Sequence, residues 1–173
     1  MTLRTDGGAR AGRLPLYTPA ERARRDATGW TLVQGVLAPV QLLVMLVSVW
    51  CVTRYLRTGD GLAAAHASVV AKTVALYAIM VTGALWEKAV FGRYLFAPAF
   101  FWEDAVSFVV IAIHTVYLAG LVGGFLEPRA LMYVALAAYA VYAVNALQFV
   151  RKLRLARLDD AARASLAGAG VPA

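Results

Sequence analysis

Four apolar stretches, roughly residues 31–56, 65–86, 105–125 and 130–150, leave this chain little choice of fold. Each has the ~20 residues that a helix rising ~1.5 Å per residue needs to cross ~30 Å of hydrocarbon. Backbone groups in lipid must find partners within their own segment, so such runs become helices. A content of 61% hydrophobic and 16% charged residues, with mean hydropathy +0.66, lies outside the range of soluble domains. The expected class is all-α: a polytopic membrane protein with four transmembrane helices in one bundle. That domain covers about residues 16–158, between a disordered tail at 1–15 and a C-terminal tail at 159–173.

The net charge of +7 reads as a topology signal. Arg4, Arg10, Arg13, Arg22, Arg24 and Arg25 precede span 1, Lys88 and Arg93 lie between spans 2 and 3, and Arg151, Lys152, Arg154, Arg157 and Arg163 follow span 4. The other two loops carry only Arg54, Arg57 and Arg129. By the positive-inside rule both termini and the central loop are expected in the cytoplasm. These arginines are spread over several segments, which argues against nucleic acid as a partner. About thirty polar residues precede the first apolar run, so no cleaved signal peptide is expected. Cys51 is the only cysteine, and no Cys/His cluster has zinc, haem or iron-sulfur spacing.

Thr18-Pro19-Ala20-Glu21 has the pattern of a capping box with Pro at the first helical position, which predicts a short helix ending near Thr28, where Gly29 breaks it. Trp30, Trp50, Trp86 and Trp102 fall at span ends, as an aromatic belt requires. Pro39 is a kink position in span 1. The basic segment Arg151–Leu158 is amphipathic and is expected to lie along anionic headgroups. No internal repeat is visible, which speaks against an inverted-repeat transporter.

Chemistry concentrates in the central segment from Trp86 to Asp104, where three carboxylates and two cations sit among seven aromatic rings. Desolvation at the edge of a hydrocarbon layer favours the protonated form of a carboxyl group, the form a proton donor needs. In span 3, Glu103, Ser107 and His114 fall within about 40° of one another, so one face runs from a carboxylate to an imidazole about 16 Å deeper. Adjacent Glu87 and Lys88 point about 100° apart, which frees Glu87 to turn inward while Lys88 reaches the headgroups. Asp104 is the expected helix cap, leaving Glu103 for the inward face. Lys72 is placed to snorkel to the outer surface, and His66 at the outer mouth is expected to be solvated. Gln34, Gln41 and Ser48 in span 1, and Tyr142, Asn145 and Gln148 in span 4, read as interhelical hydrogen-bond partners. Gly83, Gly120, Gly123 and Gly124 suit close helix approach.

The stretches Leu16–Pro39 (LYTPAERARRDATGWTLVQGVLAP), Ile79–Lys88 (IMVTGALWEK), Phe91–Asp104 (FGRYLFAPAFFWED) and Leu136–Gln148 (LAAYAVYAVNALQ) closely resemble the 3-vinyl bacteriochlorophyllide hydratase (chlorophyllide a hydratase) family of phototrophic bacteria. The resemblance covers about Leu16 to Leu158. It implies hydration of the C3 vinyl group of chlorophyllide a or 3-vinyl bacteriochlorophyllide to a 1-hydroxyethyl group in bacteriochlorophyll biosynthesis. It further implies a multi-pass protein of the bacterial inner or intracytoplasmic membrane with its site near the cytoplasmic face. Water and membrane lipid are then its other partners, with room for a homo-oligomer or contact with other pathway enzymes. No cofactor is implied beyond the magnesium that the substrate carries.

Glu87, Glu103, His114 and Asp104 are the candidate catalytic residues for this reaction. Glu87 or Glu103 is the expected acid, with the other carboxylate or His114 as the base that activates water. His114 has a competing role as axial ligand to the substrate's magnesium, although magnesium prefers oxygen. Lys88, Arg93, Tyr94, Trp102 and Asn145 are the candidate substrate-binding residues, with Arg93 or Lys88 meeting the free propionate. The same residues fit a rival class, a small four-span transporter or a tetrapyrrole- or quinone-binding subunit without catalysis. An assembly factor that only delivers pigment is a third.

Overall fold

The computed structural model describes residues 16–168, which form five helices and no strand. They are α1 (Pro19–Ala27), α2 (Trp30–Thr58), α3 (Leu62–Phe91), α4 (Phe101–Gly123) and α5 (Pro128–Gly168). Four of them, α2 to α5, are long and apolar enough to cross a membrane, so the chain is an all-α, multi-pass membrane protein. The expected 1–15 tail lies outside the described residues.

The capping box is present in full. The Thr18 side chain accepts from Glu21 N at 3.3 Å, and the Thr18 N–H donates to Glu21 Oε2 at 2.8 Å. At Thr28 the backbone turns extended and α1 stops. Helix α3 runs past Trp86, Glu87 and Lys88 and stops at Gly92, whose φ of +80° is costly for any residue with a Cβ. Pro39 lies inside the unbroken α2. Helix α5 continues through the expected tail to Gly168.

Helices α2 and α3 pack as one antiparallel hairpin and α4 and α5 as a second, the two meeting along α2–α5 and α3–α4. Ala65, Val69, Val110, Met132 and Ala135 are fully buried at the centre, and the alanines let neighbouring backbones come close. Gly120 does the same near the Gly61 end of the bundle. A Cβ there would lie 2.7 Å from Leu126 Cδ1 and 3.0 Å from Leu131 Cδ2. The outer surface is apolar instead, with Leu43, Val47, Val74, Val122 and Leu147 facing lipid.

Polar groups run through the apolar interior in successive pairs. At the Gly61 end, His66 Nδ1 lies 2.7 Å from Tyr117 Oη, so His66 is bonded rather than solvated, because the face of α4 that carries His114 brings Tyr117 to it. Next, Ser48 Oγ lies 2.8 Å from Ser68 Oγ and 2.7 Å from Tyr139 Oη. Lys72 corrects a second expectation: it is fully buried and does not snorkel. Its amine points between helices, donates to Gln41 Oε1 and sits 3.6 Å from the centre of the Tyr142 ring. Gln34 Nε2 donates to Thr82 Oγ1 at 2.8 Å. Such interhelical bonds contribute ~0.6–2 kcal/mol each in a membrane.

Beyond the spans, α1 folds back onto the Glu87 end of the bundle. Tyr17 is buried against Phe91 (ring centroids 5.9 Å apart) and Phe100 (6.4 Å), with Arg25 over its other face at 4.9 Å. Burial pushes the Tyr17 phenol up to about 12, so Arg25 meets a neutral ring. Arg24 Nε donates to Val90 O at 2.7 Å, and Arg22 pairs with Asp160 of α5 at 2.8 Å. The basic extension of α5 is therefore held by α1 through Asp160, which the expectation of a headgroup-bound segment left out.

Candidate active site

The segment between α3 and α4 turns back under the helix ends because Gly92 and Phe96 both adopt positive φ, +80° and +58°. For Phe96 this conformation is unfavourable, and the contacts around it hold it there. Its N–H donates to Asp104 Oδ2 at 2.7 Å, and the next N–H, of Ala97, donates to Glu87 Oε2 at 3.0 Å. Two successive amides thus grip carboxyl groups from two different helices. The carboxyl groups of Glu87 and Asp104 are thereby held side by side. Both are buried.

Asp104 therefore does not cap its own helix. Its side chain serves the preceding loop and Glu87, because the fold-back presents the Phe96 N–H to it first. Glu103, the expected partner of Glu87, is buried one position earlier and faces α5, where Lys152 Nζ binds its Oε2 at 2.6 Å. Lys152 also donates to Ala99 O and lies 4.9 Å from the Phe100 ring centre. One turn along, Ser107 Oγ donates to Glu103 O at 2.9 Å and accepts from Asn145 Nδ2 at 2.7 Å.

The remaining candidates fall in three places. His114 is fully buried among the deeper polar pairs. Its Nδ1 donates to Val110 O at 2.8 Å, which leaves the Nε2 lone pair without a protein partner among the described residues. That lone pair is chemically able to accept a proton, and it lies inside the bundle, about 15 Å along α4 from Asp104. Lys88, Arg93 and Tyr94 sit at the exposed rim: Lys88 Nζ donates to Gly92 O at 2.9 Å and lies 5.2 Å from the Tyr94 ring centre, and Arg93 Nη1 donates to Phe96 O at 3.3 Å. Trp102 is 72% exposed on the lipid side, next to Phe101 at 5.5 Å. Phe101 meets Phe96, and Phe96 stacks on Phe108, both at 5.5 Å, so an aromatic wall faces outward directly behind the Phe96 amide that holds Asp104.

Lys152 and the Phe96–Ala97 amides are the parts that sequence reasoning missed. A signal for Lys152 existed: Asn145, Gln148 and Lys152 recur at i, i+3 and i+7, one face of α5. The two open grooves on the surface, about 310 and 330 Å³, are lined by residues such as Trp50 and Arg54, and Val47 and Ser68. Both lie away from the carboxylates, and the clustered polar chemistry outweighs shape in locating the site.

Two buried carboxyl groups held side by side by successive amides, with Glu103 next in sequence and an outward-facing aromatic wall, form a candidate acid-base site at one end of a membrane-spanning bundle. The chain matches the 2-vinyl bacteriochlorophyllide hydratase family over residues 17–155 and belongs to that family. It is 64% identical over 145 residues to the 2-vinyl bacteriochlorophyllide hydratase of Cereibacter sphaeroides, covering 83% of this chain and 89% of the relative. It is 60% identical over 150 residues to the protein of that name from Rhodobacter capsulatus, covering 86% of each. No solved structure matches the chain.

Proposed function

We propose that this protein hydrates the C3 vinyl group of chlorophyllide a or 3-vinyl bacteriochlorophyllide to a 1-hydroxyethyl group. The observation that carries the reading is that two successive amides hold the buried carboxyl groups of Glu87 and Asp104 side by side, in a chain of this family. Adding water with oxygen on the ring-side carbon requires a proton on the terminal carbon, with positive charge developing next to the macrocycle. The carboxyl pair supplies that proton, and the negative charge left on it stabilises the cation. Water attacks the inner carbon and loses its proton to Glu103, the neighbour of Asp104 in sequence, and that proton is then returned to the pair. One water enters, none of its atoms leave, and the carboxyl groups are restored.

The macrocycle lies against the wall of Phe96, Phe101, Trp102 and Phe108, with its propionate toward Arg93 or Lys88. Its magnesium travels as part of the substrate. The site faces the cytoplasm of a bacterial inner membrane, where both chain ends and the central loop also lie; the arginine distribution supports this placement.

The test is the absorption spectrum of chlorophyllide incubated with membranes from a host that makes none. Loss of vinyl conjugation shifts the red band to shorter wavelength with repeated turnover. A change that saturates at protein stoichiometry would identify a pigment-binding subunit or delivery factor instead.

A further inference from the structure

We propose that Asn145 and Gln148 of α5 form the seat of the water molecule that the reaction consumes. This rests on the functional reading above and adds to it a binding site for the second substrate.

The Asn145 amide is oriented by its neighbours. The Ser107 hydroxyl has one proton, which it donates to Glu103 O, so toward Asn145 it can only accept. Asn145 must therefore present Nδ2 to Ser107, which turns Oδ1 the other way. That oxygen is buried and has no hydrogen-bond partner among the described residues, and the buried Gln148 Oε1 has none either. Leaving such a group unpaired in the interior costs ~1–3 kcal/mol, more than most interhelical hydrogen bonds return. A cost of that kind, incurred twice on one helix face, calls for a ligand.

The register of the antiparallel helices places these atoms. Ser107 meets Asn145 and Glu103 meets Lys152, so Gln148 lies at the level between Ser107 and Glu103. Gln148 and Asn145, one helical turn apart, lie on the α5 face that meets α4 at Ser107 and, through Lys152, at the carboxylate assigned as base. A water molecule that donates one proton to an amide oxygen keeps the other for the carboxylate assigned as base, and the second amide oxygen is an alternative acceptor on the same helix face. A metal cation would also accept oxygen ligands, but the Lys152 ammonium bound to Glu103 Oε2 already places a positive charge there. Holding the nucleophile matters more here than in a soluble enzyme, because at the lipid face no bulk water stands ready to replace it.

The experiment separates protonation of the vinyl group from attack by water. Wild type, Asn145→Leu and Gln148→Met proteins are incubated with chlorophyllide in heavy water, and both product and recovered substrate are analysed by mass spectrometry. Gln148→Met keeps the length of the side chain and leaves the Ser107–Asn145 bond untouched, which guards against loss of the fold. Both variants should still bind pigment. Both should form the hydroxyethyl product about 10²-fold more slowly. Their recovered substrate should carry more deuterium at the terminal vinyl carbon than that of wild type, because a cation without a seated water returns its proton to the carboxyl pair. Wild-type product formation in Gln148→Met, or loss of hydration and vinyl exchange in equal measure in both variants, would overturn the assignment. A wild-type protein that neither hydrates nor exchanges would instead defeat the functional reading on which the assignment stands.

Discussion

Glu87 closes one membrane helix and Asp104 opens the next, yet their carboxyl groups meet inside the protein, each also held by one of two successive backbone amides. The loop that joins them thus sets their separation. If the pair works as one acid, Glu87→Gln and Asp104→Asn should each lower turnover by about 10²-fold or more with pigment binding retained, and the double variant should lose little beyond either single one. Full activity in both single variants would remove the pair from the mechanism. Glu103→Gln should also slow turnover, since it removes the base and releases Lys152.

Solvent labelling tests the direction of addition. Turnover in heavy water should leave one solvent deuterium in the new methyl group, and turnover in oxygen-18 water should place the label in the hydroxyl group. Label from dioxygen in the product would mean an oxygenation in place of a hydration.

Substrate recognition can be split between rim and wall. Arg93→Ala should raise KM for the pigment with kcat nearly unchanged, and esterifying the propionate should reproduce that loss in wild type. Trp102→Ala should weaken the binding of esterified and free pigment alike, because it removes apolar area and no charge. Equal sensitivity of both variants to the ester would exclude Arg93 as the propionate's partner.

Attachment of α1 is a contest between packing and charge. The Arg22–Asp160 pair is partly solvated and contributes ~0–1 kcal/mol, whereas truncating buried Tyr17 to Ala should cost about 3 kcal/mol. Thermal melting of the detergent-solubilised protein should therefore fall much further for Tyr17→Ala than for Asp160→Ala. The reverse order would mean that the ion pairs anchor α1.

Topology is the fifth test. Reporters fused at the N-terminus, near Gly92 and at the C-terminus should read cytoplasmic, and one near Gly61 periplasmic. A periplasmic reading at Gly92 would overturn the placement of the carboxylates on the cytoplasmic side.

The four spans and the α1 cap were legible because hydropathy over ~20 residues and a local capping pattern need no knowledge of tertiary structure. So was the buried face of α4, since Glu103, Ser107 and His114 share a helical period and all three are buried. Pairing across helices was not legible. An acid in the first turn of a helix is already explained by the helix dipole, so nothing in its position marks Asp104 as the partner of Glu87. Only the left-handed turn at Phe96 brings them together, and a phenylalanine in that conformation has no sequence signature. Lys72 misled for the opposite reason: its distance from the helix end permits snorkelling, and only the position of Gln41 and Tyr142 on neighbouring helices shows why it turns inward.

Helix α5 is unbroken from Pro128 to Gly168, so the residues around the site and the residue gripped by α1 belong to one stiff rod. From Asn145 to Asp160 that rod advances about 22 Å. Load applied at its far end, whether by a fused tag or by a neighbouring protein pulling on α1, has no hinge in which to dissipate before it reaches Lys152, Gln148 and Asn145. The C-terminal helix is in this sense a lever whose short arm holds the amides and ammonium beside the carboxylates. What is attached to its long arm bears directly on their alignment.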